Sequence, residues 1–258
     1  MLLAIDAGNT SITAGCIRDG ELICRAQFSA ERRTVDELAV LIEQALRMRG
    51  MDPAGFEGAA MSCVVPPLME VLRGAAMLIT GHYPLVVGAG VKTGLNIGID
   101  DPSTLGADLV ASAVAAINDR VPPVIIADLG TATTIFVIDQ NSRLLGGAIL
   151  PGAAVSLEAL AGTASLLPSI PLEAPKKCIG TNTNDCMKSG AIFGTASAID
   201  GMIDRFEQEL GTRAQRVATG YLARRIVPHC RHEMEIDEDH TMRGLGIIWE
   251  RNRRPKKK

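Results

Sequence analysis

A short motif occurs twice in this chain, 122 residues apart, and this repeat restricts the fold more than any other feature. The first copy reads DAGNT and the second reads DLGTATT. Each copy follows an apolar run and precedes a β-branched run that ends in a polar turn, which is the pattern of strand, tight turn and strand. Two copies in one register predict a duplicated domain. The aligned pairs are Asp6 with Asp128, Gly8 with Gly130, Asn9 with Thr131, and Ser11 with Thr133.

Helical and strand-like segments alternate around the two motifs. Thr34 and Glu37 form a capping box, and helical spacing then continues to Gly50. Further predicted elements are strands at 59–65 and 85–87 and helices at 155–166, at 189–210 and around Ala223. The proline pair within 118–123 is the best boundary between halves. We therefore expect an α/β protein with lobes at 1–118 and 119–250, a cleft between them, and a basic tail at 251–258.

The repeated turn has the composition of an anion-binding loop. A glycine lets backbone N–H groups approach a ligand closely, and small Asn and Thr side chains add donors without bulk. The aspartate at the strand end supplies a charge that can hold a cation. A single copy would favour a plain hairpin whose Asp and Asn cap the turn. Two copies in matching register favour a pair of turns that hold a phosphate chain and its metal.

Charge and cysteine content indicate the environment of the chain. The formal net charge is −3, and without the six basic residues of the tail it would be −9, so we expect no nucleic-acid partner. The tail could touch nucleic acid or a membrane, but a solvated end is the preferred interpretation. The six cysteines form no C-x-x-C pair, and no apolar run is long enough for a signal or a membrane span. We expect a cytoplasmic protein with reduced thiols and no membrane partner.

A series of short motifs extends along nearly the whole chain in a fixed order. They are DAGNT at 6–10, SCVVPPL at 62–68, GVKTGLNI at 90–97, DPSTLGAD at 101–108, DLGTATT at 128–134, GGAILPG at 146–152, TASLLP at 163–168, IGTNTNDCMKSG at 179–190, ATG at 218–220, and MRGLGIIWERN at 242–252. In these motifs the chain resembles the type III pantothenate kinases, within the superfamily of actin, sugar kinases and the Hsp70 ATPase. A set this large in one order is specific for that family.

The resemblance implies a fold and an activity. The fold would be the duplicated actin-like, ribonuclease H-like ATPase fold. The activity would be ATP-dependent phosphoryl transfer to the hydroxyl of pantothenate, the first step of coenzyme A biosynthesis. The cofactors would be ATP, Mg²⁺ and a monovalent cation, K⁺ or NH₄⁺. The resemblance also implies a homodimer.

The resemblance further implies roles for individual residues. Asp108 would be the catalytic base, Asp128 would hold the monovalent cation, and Asp6 would hold Mg²⁺ through water. The residues expected to bind the nucleotide are Asp6, Ala7, Gly8, Asn9, Thr10, Ser11, Ile12, Thr13, Gly130, Thr131, Thr219 and Gly220. The residues expected at the acceptor are Ile99, Gly106, Ala107, Asp108, Leu109 and Thr183.

The local sequence around Asp108 supports two interpretations. Asp108 directly precedes the helical pattern of Val110, Val114 and Ile117, so it is expected at a helix start. A carboxylate there can accept a hydroxyl proton during phosphoryl transfer. It can equally be a plain helix N-cap. The residues alone leave both open, and the resemblance favours the base.

Three positions depart from the family pattern. Leu109 replaces an arginine that grips the substrate carboxylate, Ile99 replaces a tyrosine, and Tyr221 replaces a glycine at the adenosine end. Loss of a desolvated charge contact costs about 2–5 kcal/mol. The second hypothesis is therefore a non-catalytic or altered-substrate relative that binds nucleotide or a partner protein as a regulator, with the basic tail as the natural partner contact.

Overall fold

The computed structural model describes residues 1–253, which form two sheets flanked by helices. The strands are β1 Leu2–Ala7, β2 Ser11–Arg18, β3 Glu21–Ser29, β4 Gly58–Cys63, β5 Leu85–Val86, β6 Asn96–Ile97, β7 Val124–Leu129, β8 Ala132–Ile138, β9 Arg143–Pro151, β10 Gln215–Thr219 and β11 Glu235–Ile236. The helices are α1 Val35–Arg47, α2 Pro66–Thr80, α3 Ala107–Asp119, α4 Ala153–Thr163, α5 Thr183–Ser189, α6 Thr195–Leu210, α7 Ala223–Ile226 and α8 His240–Asn252.

The chain divides into two compact units. The first contains residues 1–95 and 100–119 together with α8, and the second contains residues 96–99 and 120–238. This division differs from the one expected from the sequence in two segments, since β6 joins the second sheet and α8 packs in the first unit. Of the expected basic tail, Arg251 lies in α8 and Arg253 pairs with Glu250. The remaining tail residues, Arg254, Lys256, Lys257 and Lys258, lie outside the described residues.

The two sheets repeat one topology. The first has the order β3-β2-β1-β4-β5, and the second has the matching order β9-β8-β7-β10-β11 with β6 added beside β9. In each unit the first three strands are antiparallel neighbours, the fourth pairs in parallel with the first, and the fifth pairs in parallel with the fourth. The predicted duplication is confirmed, with β7 and β9 beginning 122 residues after β1 and β3.

One detail of the predicted alignment is wrong. The Gly8 N–H donates to the carbonyl of Ser11, whereas the Gly130 N–H donates to the carbonyl of Ala132, so Ser11 corresponds to Ala132 and not to Thr133. The second motif turn is one residue shorter than the first, and the hairpin turn between β8 and β9 is one residue longer than the one between β2 and β3. Four residues separate the paired Ile17 and Leu22, whereas five separate Ile138 from Leu144. The two differences cancel, which restores the 122-residue offset at β9.

Strand β1 is buried on both faces. Leu3 and Ile5 belong to the core shared with α1 and α2, whereas Leu2 and Ala4 belong to the core shared with α3 and α8. Since side chains alternate between the faces of a strand, Asp6 lies on the α3 and α8 face. The fold therefore directs Asp6 toward the helix that begins at Ala107.

The local predictions agree with most of the helices and strands. The capping box of α1 is confirmed, with Thr34 as the N-cap and reciprocal hydrogen bonds to Glu37. The helix predicted at 155–166 lies two to three residues earlier, at Ala153–Thr163. The helix predicted at 189–210 begins earlier and contains a π-helical turn, Gly190–Gly194, between α5 and α6. Within residues 1–253, no helix combines the length and the apolar character needed to cross a bilayer.

Candidate active site

The first motif turn connects β1 to β2 and is held by neighbouring strands. The Gly8 N–H donates to the Ser11 carbonyl at 3.0 Å, and the Gln27 Nε2 donates to the Ser11 Oγ at 3.1 Å. The Thr10 carbonyl accepts a hydrogen bond from the Ala30 N–H at 3.0 Å. Asn9 and Thr10 are exposed at the tip. The turn is therefore fixed at its base and presents small polar residues to solvent.

Asp6 is the last residue but one of β1, and its environment opposes ionisation of its carboxyl group. Burial raises the pKa of Asp6 to about 6, and the nearby Asp108 carboxylate adds to the rise. A hydrogen bond from Ser62 Oγ to Asp6 Oδ1, 2.6 Å long, acts in the opposite direction. The structure therefore places Asp6 and Asp108 close enough to interact electrostatically. A metal-holding Asp6 and a catalytic base at Asp108 both require this proximity.

Asp108 is the second residue of α3, within its first turn. Its Oδ1 accepts a hydrogen bond from the Leu109 N–H at 2.8 Å, so it does not have the geometry of an N-cap residue. Burial raises the pKa of Asp108, and backbone N–H groups partly oppose the rise. A Cβ at Gly106 would collide with Asp108 Oδ1, so any other residue there would displace this carboxylate. The carboxylate is thus held at a helix start and binds a proton more readily than a solvated one.

The second motif turn, in the other unit, is closed by a glycine that the sequence analysis missed. The Gly130 N–H donates to the Ala132 carbonyl at 2.9 Å, and the Gly152 N–H donates to the Thr131 carbonyl at 3.0 Å. A Cβ at Gly152 would collide with the carbonyl oxygens of Gly130 and Thr131. The available signal was the Pro-Gly pair directly before the α4 pattern. Gly152 therefore lets the start of α4 lie against the turn.

Thr219 and Gly220 lie beside Asp128. Thr219 is buried and pairs with Asp128 across the β10 and β7 ladder. Gly220 has φ +88°, and an added Cβ would lie 2.5 Å from both Asp128 Oδ1 and the Leu129 carbonyl oxygen. The structure therefore brings the expected cation residue and the expected nucleotide residues of the second unit together.

We expect Gly220→Ala to destabilise the second unit by about 3 kcal/mol or more, because it combines left-handed backbone strain with a collision. Gly211→Ala is the matched control, since Gly211 has φ +69° and its added Cβ would meet nothing within 4 Å. The unfolding free energy of the control should fall by only about 1 kcal/mol, because it has the backbone strain without the collision. Urea denaturation measures the unfolding free energy of both variants. Equal decreases would show that the collision with Asp128 and Leu129 does not affect stability.

The expected site residues differ in burial and in the unit to which they belong. The side chains of Ala7 and Ile12 belong to the core of the first unit, so only their backbones can face a ligand. Leu109 and Ala107 are half-buried on either side of Asp108. Ile99, in the second unit, is half-buried near Gly146, and Thr183 is exposed as the first residue of α5. The acceptor residues are thus divided between the units, with Ile99 and Thr183 in the second.

The oxygen ligands of the first unit suit a hard cation. Within residues 1–253 no group of three or more His, Cys, Asp and Glu side chains could enclose a metal. The pair Asp6 and Asp108 matches a different arrangement, in which Mg²⁺ keeps several waters and uses one or two carboxylates together with phosphates. A divalent charge would also relieve the repulsion between these carboxylates. The residues present therefore fit Mg²⁺ held through water.

The metal-free protein should lose stability as the pH rises from about 4 to about 6. The folded pKa of Asp6, about 6, lies above its ordinary value of 3.8, so the protonated form favours folding and this contribution disappears as Asp6 ionises. At about 1.4 kcal/mol per unit of pKa, the loss is about 3 kcal/mol. The free energy of unfolding, measured in the presence of a chelator for the wild type and for Asp6→Asn at each pH, isolates the contribution of the Asp6 carboxyl group. A constant difference between the two proteins across that range would contradict the expectation.

Comparison with known proteins identifies the family. The family model described as type III pantothenate kinase matches residues 2–205. The chain belongs to the type III pantothenate kinase family. The type III pantothenate kinase of Moorella thermoacetica is 39% identical over 253 residues, which cover 98% of this chain and 100% of that protein.

Solved structures agree with the fold of this type III pantothenate kinase family member. The inorganic polyphosphate/ATP-glucomannokinase of an Arthrobacter species has a TM-score of 0.50 at 13% identity, covering 97% of this chain and 99% of that one. The activator of the 2-hydroxyisocaproyl-CoA dehydratase from Clostridium difficile, solved with bound ADPNP, has a TM-score of 0.52 at 11% identity, covering 95% and 92%. With the repeated topology, these neighbours identify the duplicated actin-like ATPase fold.

Proposed function

We propose that this chain transfers the γ-phosphoryl group of ATP to the hydroxyl of pantothenate, the first step of coenzyme A biosynthesis. The observation that carries the proposal is the pairing of Asp6, beneath the first motif turn, with Asp108, at the start of α3. In this proposal Asp6 would hold the Mg²⁺ of the phosphate chain, and Asp108 deprotonates the acceptor hydroxyl. Membership of the family supplies the substrate.

Asp108 acts as the general base in this proposal. Its raised pKa makes it a better proton acceptor than a solvated carboxylate, while the Leu109 N–H fixes one of its oxygens. The proton of the pantothenate hydroxyl passes to Asp108 as the oxygen attacks the γ-phosphorus, and the bond between the γ-phosphorus and the bridging oxygen breaks to release ADP. The turn from Gly8 to Ser11 orients the phosphates with its backbone and side-chain donors. Asp6 would hold Mg²⁺ through water, and the bound metal would supply the charge that balances the phosphate oxygens.

The second unit has its own set of proposed nucleotide and cation residues. Thr131, Thr219 and Gly220 contact the nucleotide, and Asp128 holds the monovalent cation, K⁺ or NH₄⁺. The proximity of Gly220 to Asp128 supports this grouping. The remaining proposed contacts are Ala7, Asn9, Thr10, Ile12, Thr13 and Gly130 for the nucleotide and Ile99, Gly106, Ala107, Leu109 and Thr183 for the acceptor.

The proposal includes a cytoplasmic homodimer with no nucleic-acid or membrane partner. An apolar cavity of about 540 Å³ in the second unit, bounded by α4, α5 and α6, supports the dimer. Gly194 and Ala198 line this cavity, and Leu160 at its edge is exposed, so a second helix could approach closely. The six cysteines are all unpaired, which suits a reducing compartment.

Incubation of the pure protein with ATP, Mg²⁺, K⁺ and pantothenate tests the activity. We expect phosphopantothenate, detected by mass spectrometry, in an amount equal to the ADP formed. Replacing K⁺ with NH₄⁺ should preserve turnover, and replacing it with a large organic cation should not. Nucleotide binding without any product at high enzyme concentration would overturn the proposal and support the regulator hypothesis.

A further inference from the structure

Ser62 makes a hydrogen bond that no part of the proposed mechanism uses. It is a fully buried polar residue near the end of β4, and its Oγ donates to Asp6 Oδ1 at 2.6 Å. Ser62 and Asp6 are direct partners in the parallel ladder of β4 and β1, so their side chains lie on the same face of the sheet. One oxygen of the Asp6 carboxylate is therefore held by a neighbour that water does not reach.

The second unit has the same arrangement of residue types. Asp128 is paired with Thr219 on the parallel strand β10, as Asp6 is paired with Ser62. Each aspartate also faces a threonine on the antiparallel neighbour, Thr13 in one unit and Thr134 in the other. In both units the hydroxyl residue on the parallel strand is buried and the aspartate is half-buried. Both copies thus place a buried hydroxyl opposite the strand-end aspartate.

We propose that Ser62 is a positioning residue for the phosphate site: its hydroxyl fixes the Asp6 carboxylate in the orientation that receives Mg·nucleotide. With Oδ1 engaged, Oδ2 is the oxygen left for the water shell of the metal. This inference rests on the proposed role of Asp6. Ser62 has the same place beside Asp6, on the parallel strand, that Thr219 has beside Asp128.

A purely structural role for Ser62 is less consistent with the same structure. Ser112, in α3 of the same unit, is also buried, and its Oγ has no hydrogen-bond partner among residues 1–253. The unit therefore accommodates a buried serine hydroxyl without a partner. The hydroxyl of Ser62 instead meets a carboxylate, and hydrogen bonds to charged groups are the stronger class.

Calorimetric binding of ADPNP, with and without Mg²⁺, tests the proposal. At pH about 8.5, well above the pKa of Asp6, the carboxylate stays ionised, so only its orientation is changed. Ser62→Ala should weaken Mg·ADPNP binding by about 10-fold and leave metal-free ADPNP binding unchanged. Ser62→Thr retains the hydroxyl and should restore the affinity. Ser112→Ala is the matched control and should bind like the wild type.

A double-mutant cycle separates positioning from packing. In the Asp6→Asn background, Ser62→Ala should cause no further loss of Mg·ADPNP affinity, because the carboxylate that it orients is already gone. Equal weakening with and without Mg²⁺, or the same loss in both backgrounds, would overturn the inference. Failure of the proposed activity would appear differently, as a wild type that binds Mg·ADPNP but does not phosphorylate pantothenate. A wild type that binds no Mg·ADPNP would overturn both.

Discussion

Replacing Asp108 with asparagine is expected to lower kcat by about 10²–10⁴-fold, the usual contribution of a general base. The amide has nearly the shape of the carboxylate and keeps an oxygen that can accept the Leu109 N–H, so the start of α3 should remain intact. Because Asp108 acts on the acceptor hydroxyl, ADPNP affinity should change little. Steady-state kinetics and calorimetry on the same preparation measure both quantities.

Asp119→Asn is the control for this substitution. Asp119 ends the same helix and accepts a hydrogen bond from Arg243 Nη2 at 3.0 Å, far along the chain from the turn residues. The control should lose at most a small part of the unfolding free energy, because this ion pair is only partly buried. Its kcat should match the wild type. An Asp108→Asn protein with unchanged kcat would exclude Asp108 as the base and would favour a non-catalytic role.

Introducing arginine at position 109 is expected to raise kcat/KM for pantothenate by about 30-fold or more, the factor that corresponds to a charge contact of at least 2 kcal/mol. Leu109 is half-buried directly after Asp108, so an arginine there would begin beside the proposed base. The gain should come mainly from KM, since the contact forms with bound substrate as well as in the transition state. Initial rates over a range of pantothenate concentrations separate the two parameters.

Two comparisons make the Leu109→Arg result specific. Leu109→Gln replaces the leucine with a polar side chain that has no charge, and it should show little gain. Panthenol has the same reacting hydroxyl but no carboxylate, so Leu109→Arg should not improve its phosphorylation. An equal gain for panthenol would mean that the arginine acts on the nucleotide or on the fold instead of on the acceptor carboxylate.

The sequence predicted the duplication correctly, and it indicated the candidate site residues, because both signals are local. Each motif turn combines an apolar strand, an aspartate and a glycine within ten residues, and the capping box of α1 spans four residues. Asp108 was recognisable as the beginning of a helical pattern. The one-residue error at Ala132 arose because a shorter turn and a longer hairpin cancel, which leaves the overall offset intact.

The features that were missed depend on pairing between distant segments. Ser62 lies in an apolar run, and nothing near it indicates that it will face Asp6, because that contact is set by the register of β1 and β4. Gly152 closes the second turn from beyond β9. The membership of α8 in the first unit depends on Gly244, whose lack of a side chain lets the helix lie against Ala111. Periodicity within a segment carries no information about its partner.

The position of α8 has a consequence for synthesis. Leu245 and Ile248 of α8, together with α3, bury the face of the first sheet that carries Leu2 and Ala4, so this face is only partly covered until α8 has been made. The second sheet, apart from β6, is built from residues 124–236 and can be complete earlier. During synthesis, the core of the second unit should therefore be buried before this face of the first sheet, which stays partly open until α8 has been made.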